Sequence, residues 1–218
     1  MEDVLSVYRR PYDCSRPVVC LDETRKELHA SLYGPLPPVP AAGNEPGRPA
    51  RQDYGYERHG TASLFLWYEP LAGRRGVTVS DRHTGRDFAE ALRHLADDVY
   101  PQVEQIVLVC DNLSTHTPAS LYERFAPEEA WRLSQRFEWH YTPEHGSWLN
   151  VAECELSVLA RQCLNRRLPD RSSLEREVAA WERARNAAQA KTVWQFTAED
   201  ARIKLRRLYP KREEQNLA

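Results

Sequence analysis

The chain has 218 residues, 41 % hydrophobic and 10 % aromatic, enough to bury the core of one folded domain and too apolar for general disorder. Its 30 basic and 32 acidic side chains leave a formal net charge of -2, so bulk charge does not mark a nucleic-acid binder and any such role must rest on local patches. Five cysteines without a CxxC pair argue against a disulfide framework or a zinc site, and no segment resembles a signal peptide or a membrane span, so a cytoplasmic protein is expected.

Residues 1–16 are polar with scattered apolar positions and read as a peripheral lead-in. The apolar run at 17–21 predicts a buried strand ending on Asp22, with residues 28–33 able to pair with it. Residues 34–60 are rich in Pro and Gly and predict a long loop. Residues 61–68 and 76–80 predict two more strands joined by a turn at 70–73. From Thr84 the period changes: Phe88, Leu92, Leu95 and Val99 predict an amphipathic helix that stops before Pro101. The most apolar run, 106–110, predicts a central strand ending on Asp111.

Residues 117–133 read as helical, with a break or new start at Pro127, and 137–141 as a strand. From Ser147 a stripe of Leu149, Ala152, Leu156, Leu159 and Cys163 marks a further helix, followed by helices near 171–190 and 197–208. This order implies an α/β protein with a mixed sheet flanked by helices. The main unit is expected at 17–168, with 169–218 as a C-terminal helical extension.

Two acids follow apolar strands, at the sheet edge where α/β proteins collect their sites. If the strands are neighbours, Asp22 and Asp111 converge, and a helix packed across them can add Glu153. Three hard oxygen ligands suit Mg²⁺ or Mn²⁺, and two such ions clamp the attacking and leaving oxygens of a phosphoryl transfer. Acids at strand ends are also common without any function, because Asp favours turns. Glu155 flanks the same helical stripe as Glu153, and periodicity does not choose between them. Glu23 competes with Asp22, but points to the opposite face if the strand continues.

Three words carry a resemblance: Leu21-Asp22-Glu23-Thr24, then Asp111-Asn112-Leu113-Ser114-Thr115-His116, then Tyr141-Thr142-Pro143-Glu144-His145-Gly146-Ser147-Trp148-Leu149-Asn150-Val151-Ala152-Glu153. A fourth stretch, Arg58-His59-Gly60-Thr61-Ala62-Ser63-Leu64-Phe65, matches a strand entry after a long loop. In these residues the chain resembles the Asp-Asp-Glu transposases of bacterial insertion sequences, most closely the insertion-sequence-630 family of the mariner superfamily. The resemblance implies an RNase H-like fold with metal ligands and catalytic acids Asp22, Asp111 and Glu153, the last selected over Glu155 by the Trp-Leu-Asn-x-x-Glu word. It implies two Mg²⁺ or Mn²⁺ ions, double-stranded DNA as substrate and target, and insertion at a deformable TA step.

Around this set, His116 could position a phosphate or water, or lie on a helix surface; Asn112 could orient Asp111. Ser147 and Asn150 read as cap and first-turn residues, and Trp148 as a packing residue. Candidate DNA contacts are Arg48, Arg51, Arg58 and His59 around the loop and Arg161, Arg166, Arg167 and Arg171 after the Glu153 helix. Further basic residues, Arg202, Lys204, Arg206, Arg207, Lys211 and Arg212, crowd the C-terminus.

Expected partners are DNA, a second copy in the active complex, and a separate helix-turn-helix polypeptide, since the segment before Asp22 is too short for such a reader. The competing functions are an RNase H-like nuclease without strand transfer and an inactive transposase relic. A haloacid-dehalogenase reading fails because Thr24 stands where that chemistry needs a second Asp.

Overall fold

The computed structural model describes residues 1–209 except 35, 44, 45, 52, 53 and 145. Five strands form one sheet in the order β3-β2-β1-β4-β5: β1 (Val18–Ser31), β2 (Tyr56–Glu69), β3 (Arg74–Ser80), β4 (Ile106–Cys110) and β5 (Phe137–Tyr141). The first three pair antiparallel, whereas β1–β4 and β4–β5 pair parallel. All five residues of β4 are buried, as a strand covered on both faces requires.

Alternation along the strands sorts the side chains into two cores. On one face Cys20, Leu64, Leu66, Val107 and Val109 meet α1 (Glu2–Tyr8), α5 (Val151–Leu159) and α6 (Arg171–Ala187). On the other, Val19, Leu21, Phe65, Ile106 and Leu108 meet α2 (Gly85–Arg93), α3 (Ala119–Arg124) and α4 (Pro127–Ser134). This mixed sheet between helical layers, in the order strand–strand–strand–helix–strand–helix–strand–helix, is the RNase H-like arrangement.

Three local expectations are corrected. Residues 28–33 do not form a second strand beside 17–21. Residues 28–31 continue β1, which runs on past Asp22 and pairs with β2, through a register shift between Glu27 and His29, as far as Ser31 opposite Tyr56. The polar run Glu23–Glu27 imitates a turn in sequence, yet an antiparallel ribbon tolerates it because its backbone bonds are supplied by β2. Consequently 56–60 are strand, and Arg58 and His59 stand on β2; the remaining loop carries isolated bridges at Leu36–Arg51 and Val39–Arg48. The lead-in is not peripheral either: Val4, Leu5 and Val7 of α1 are wholly buried.

The helix from Thr84 is capped by Asp87, which accepts from Thr84 N at 2.9 Å. It extends through a π-helical segment, His94–Val99, and ends before Pro101 as expected. Pro127 begins α4 rather than kinking one long helix. Beyond residue 168, Leu174, Val178 and Trp181 of α6 and Ala201 of α7 (Ala198–Lys204) share the core of α1 and α5. No helix among the described residues is long and apolar enough to cross a membrane.

Candidate active site

The parallel register of β1 and β4 pairs Cys20 with Val109. Two residues on, the same register sets Asp22 beside Asp111. Asp22 therefore lies inside a long strand, on the face toward α5, while Asp111 follows the end of its own. Asp22 is buried; its Oδ1 accepts from Glu23 N at 2.8 Å and its Oδ2 from Asn150 Nδ2 at 3.2 Å.

Asn150 is wholly buried, and its amide also donates to Leu21 O at 3.0 Å. Its Oδ1 accepts from Ala152 N at 3.1 Å and so caps α5. One side chain thus joins β1, the first acid and the helix that carries Glu153. Ser147 belongs to a preceding 3-10 turn, Ser147–Leu149.

Burial pushes the Asp22 carboxyl up to about 7. The hydrogen bond from Glu23 N opposes that rise, while Asp111, Glu23 and Glu153 reinforce it by repulsion. The three candidate acids therefore share one electrostatic environment.

Asp111 is oriented by His116. The imidazole Nδ1 donates to Asp111 Oδ1, and Nε2 lies 3.1 Å from Glu23 Oε2 as an ion-pair contact without an aligned hydrogen bond. The ring is buried and stacks on Phe88 at 4.2 Å. Burial alone would lower its pKa; the bond to Asp111 and the negative charges of Asp111 and Glu23 outweigh that and raise it to about 9. His116 is therefore an imidazolium held between two carboxylates, not a surface residue. Asn112 is exposed and makes no hydrogen bond to Asp111, so the orienting role expected of it falls to His116. Glu23 does point away from Asp22, as alternation requires, and thereby reaches His116.

The two helix acids are separated by their partners. Glu155 is buried, 3.0 Å from Arg75 Nε, and it accepts from Arg185 Nε at 3.0 Å and Nη2 at 2.8 Å. Arg75 is itself wholly buried and lies over the Tyr68 ring. Glu155 is committed to that cluster. Glu153 is half-buried, and its carboxylate has no hydrogen bond or ion pair among the described residues.

Among the described residues, no three His, Cys, Asp or Glu side chains stand close enough to chelate a metal ion as they are. By charge and donor type, Asp22, Asp111 and Glu153 still fit a hard divalent cation, which would neutralise the repulsion recorded at Asp22.

Most of the candidate DNA contacts are held by the protein. Arg166 pairs with Glu177, and Arg167 donates to Ser31 Oγ and to the Tyr54 and Gly55 carbonyls. Arg171 pairs with Asp81 and Glu175, and Arg202 with Glu2. His59 bonds Pro169 O, and Arg58 is coupled to Tyr56. By contrast Arg48, Arg51 and Arg161 are exposed, with no side-chain partner among the described residues. Lys211 and Arg212 lie outside the described residues. Trp148 packs against Trp194 and Phe196 and remains 41 % exposed.

An RNase H-like sheet with acids delivered by two adjacent parallel strands and a crossing helix defines a nuclease-type architecture. The chain belongs to the DDE superfamily endonuclease family, whose match spans residues 17–175. Among solved structures it is similar to one titled "Crystal structure of the Mos1 Strand Transfer Complex", with a TM-score of 0.50 at 15 % identity over 86 % of this chain. At that identity the likeness concerns the fold, and this chain spans only 55 % of that one. No curated protein matches.

Proposed function

We propose that the chain is the catalytic part of a DNA transposase, which cuts at an element's end and joins the freed 3′-hydroxyl to target DNA. One observation carries the reading: Asp22, within β1, and Asp111, just past the end of β4, stand at the same level of adjacent parallel strands, and Asn150 ties Asp22 to the helix of Glu153. The sequence words around those acids support the insertion-sequence-630 family within the mariner superfamily.

In this reading Asp22, Asp111 and Glu153 would hold two ions, Mg²⁺ or Mn²⁺, which when bound supply Lewis acidity and an activated water for in-line attack on phosphorus. The chain supplies orientation. His116 fixes Asp111, Asn150 fixes Asp22, and the Arg75–Glu155–Arg185 cluster anchors α5, the helix that carries Glu153. Arg48, Arg51 and Arg161 contact DNA phosphates. The working complex contains two copies of the chain, and a helix-turn-helix reader, in cis or on a second polypeptide, supplies base-specific recognition in the cytoplasm.

The test mixes the purified chain, a pre-cleaved DNA end, a plasmid target and Mg²⁺ or Mn²⁺. Covalent end–plasmid joints that disappear in Asp111→Ala support the proposal. Metal-dependent cleavage without joining assigns a nuclease instead. A chain that binds the cation and DNA yet does neither reaction is an inactive relic.

A further inference from the structure

Beside the acids lies a groove of about 410 Å³ lined by Thr24, Arg25, Lys26, Ala160, Arg161, Leu164 and Asn165. Its floor comes from β1: Thr24 and Lys26 follow Asp22 at two-residue steps and so share its face of the sheet. Its wall is the π-helical segment Ala160–Leu164 that continues α5. Glu153 and Arg161 lie on that continuous helical segment, two turns apart. The groove therefore begins where the acids end and follows the same strand and the same helix.

Its chemistry is one-sided. Arg25, Lys26 and Arg161 line it, and no carboxylate does. Lys26 Nζ is anchored to the carbonyls of Leu164 at 2.7 Å and Arg166 at 3.0 Å, which fixes the wall against the floor and leaves its charge in place. Arg25, one step out of phase with Thr24 and Lys26, turns its guanidinium to His83. The guanidinium of Arg161 and the side chains of Thr24 and Asn165 have no hydrogen-bond partner among the described residues. The larger groove between β3 and α2, about 700 Å³, is different. Four acids, Asp81, Asp87, Glu90 and Asp98, line it against Arg82, Arg93 and Arg171, and the last two arginines are already paired with acids. A polyanion is drawn to the first groove and turned away from the second.

We infer that the β1–α5 groove is a subsite for the backbone of one DNA strand, with Arg161 gripping a phosphodiester next to the one that reaches the acids. The inference rests on the transposase reading for its substrate, but it predicts a binding contact that can be measured without any reaction. Thr24 and Asn165 provide a hydroxyl and an amide for the remaining phosphate oxygens, a neutral and sequence-independent grip.

The experiment is a fluorescence-anisotropy titration of the full chain with labelled duplex DNA in Ca²⁺, over a series of salt concentrations. The proteins are wild type, Arg161→Ala, Arg161→Lys and, as control, Arg86→Ala, an exposed arginine on the opposite helical layer without a side-chain partner among the described residues. Arg161→Ala is expected to reduce the slope of log affinity against log salt by about 0.9, the loss of one phosphate contact. Arg161→Lys retains the slope, and Arg86→Ala leaves it unchanged. A methylphosphonate scanned along one strand next to the cleavage position should weaken wild type at one step and have no further effect on Arg161→Ala there. Equal slopes for wild type and Arg161→Ala overturn the subsite while leaving the transposase reading standing. A wild-type chain with no salt-dependent DNA binding overturns both.

Discussion

Asn150 places its amide nitrogen 3.2 Å from Asp22 Oδ2 and its amide oxygen 3.1 Å from the backbone N of Ala152 in the first turn of α5. The two ends of one planar group are thus used in opposite senses, donating to the acid and accepting from the helix. Asn150→Ala removes the cap and strands the Leu21 carbonyl in the core. The expected cost is about 2–4 kcal/mol, read from urea unfolding. Asn150→Asp keeps the cap but sets a second carboxylate against Asp22. It should therefore unfold more easily at pH 8 than at pH 5, and an Asn150→Asp chain insensitive to pH would contradict the contact.

Asp22 is an acid whose folded pKa, about 7, lies above its ordinary value of 3.8. Below pH 4 both states are protonated and the shift has no effect. Between about pH 4 and pH 7 the unfolded chain loses a proton that the folded chain keeps, so the folded state loses ground, by at most about 4 kcal/mol above pH 7. Without metal, Asp22→Asn should raise the melting temperature at pH 8 and leave it unchanged near pH 4. Thermal scans at both pH values check this.

His116 has the opposite sign. Its folded pKa, about 9, exceeds the ordinary 6.5, so its contribution is complete below pH 6.5 and is lost as pH rises through 9. Its ring resonances should titrate near pH 9 by NMR. His116→Gln should cost about 3 kcal/mol at pH 6, because Glu23 and Asp111 lose a buried partner. That gap should narrow above pH 9.

Glu153 and Glu155 should separate cleanly by experiment. Glu155→Ala leaves Arg75 buried without its carboxylate, an expected cost of about 3–5 kcal/mol in denaturant. Glu153→Ala breaks no bond among the described residues, so stability should move by less than about 0.5 kcal/mol while Mg²⁺-dependent cleavage is lost. An unstable but cleaving Glu153→Ala would transfer the role to another acid.

Metal uptake should release a proton. Calorimetric titration with Mg²⁺ at pH 6.5, in buffers of different ionisation enthalpy, should show heat that depends on the buffer, and affinity should rise as the pH passes 7. Asp22→Asn should abolish the buffer dependence. Identical heats in all buffers would mean that Asp22 is already ionised.

Strand and helix periods made the central architecture legible. The run at 106–110 and the stripe from Phe88 to Val99 formed the expected elements, because apolar spacing reports which face is buried, whereas the helix expected from Ser147 begins only at Val151, after a separate 3-10 turn. The length of β1 was not legible, since Glu23–Glu27 owe their strand to hydrogen bonds from β2, which no local pattern records. Nor was α1, whose three buried residues span barely one turn and acquire their burial only in the assembled core, where α1 meets α7 and β5. At the site, Asp22 and Asp111 could be recognised as acids following apolar runs. The bond from Asn150 to Asp22 and the bridge from His116 to Glu23 join residues distant in sequence, and only the sheet register brings them together. Ser147 and Asn150 read as cap and first-turn residues; the cap is Asn150 itself, and its second partner, Asp22, left no local signal.

The unequal lengths of β1 and β4 shape the approach to the acids. β4 ends at Cys110, level with Leu21, while β1 runs on to Ser31 with only β2 alongside. The sheet therefore narrows from five strands to three at Asp22 and to the β1–β2 ribbon beyond Arg25, and Asp22 sits in the notch. Along the ribbon's open flank the β1 backbone lacks a neighbouring strand, and one amide there, His29 N, is already taken by Leu168 O at 2.8 Å. A long molecule laid across the acids is shouldered by this ledge on one side and unobstructed on the other. A pair of strands that departs from the sheet so early gives the site a left and a right before any base is read.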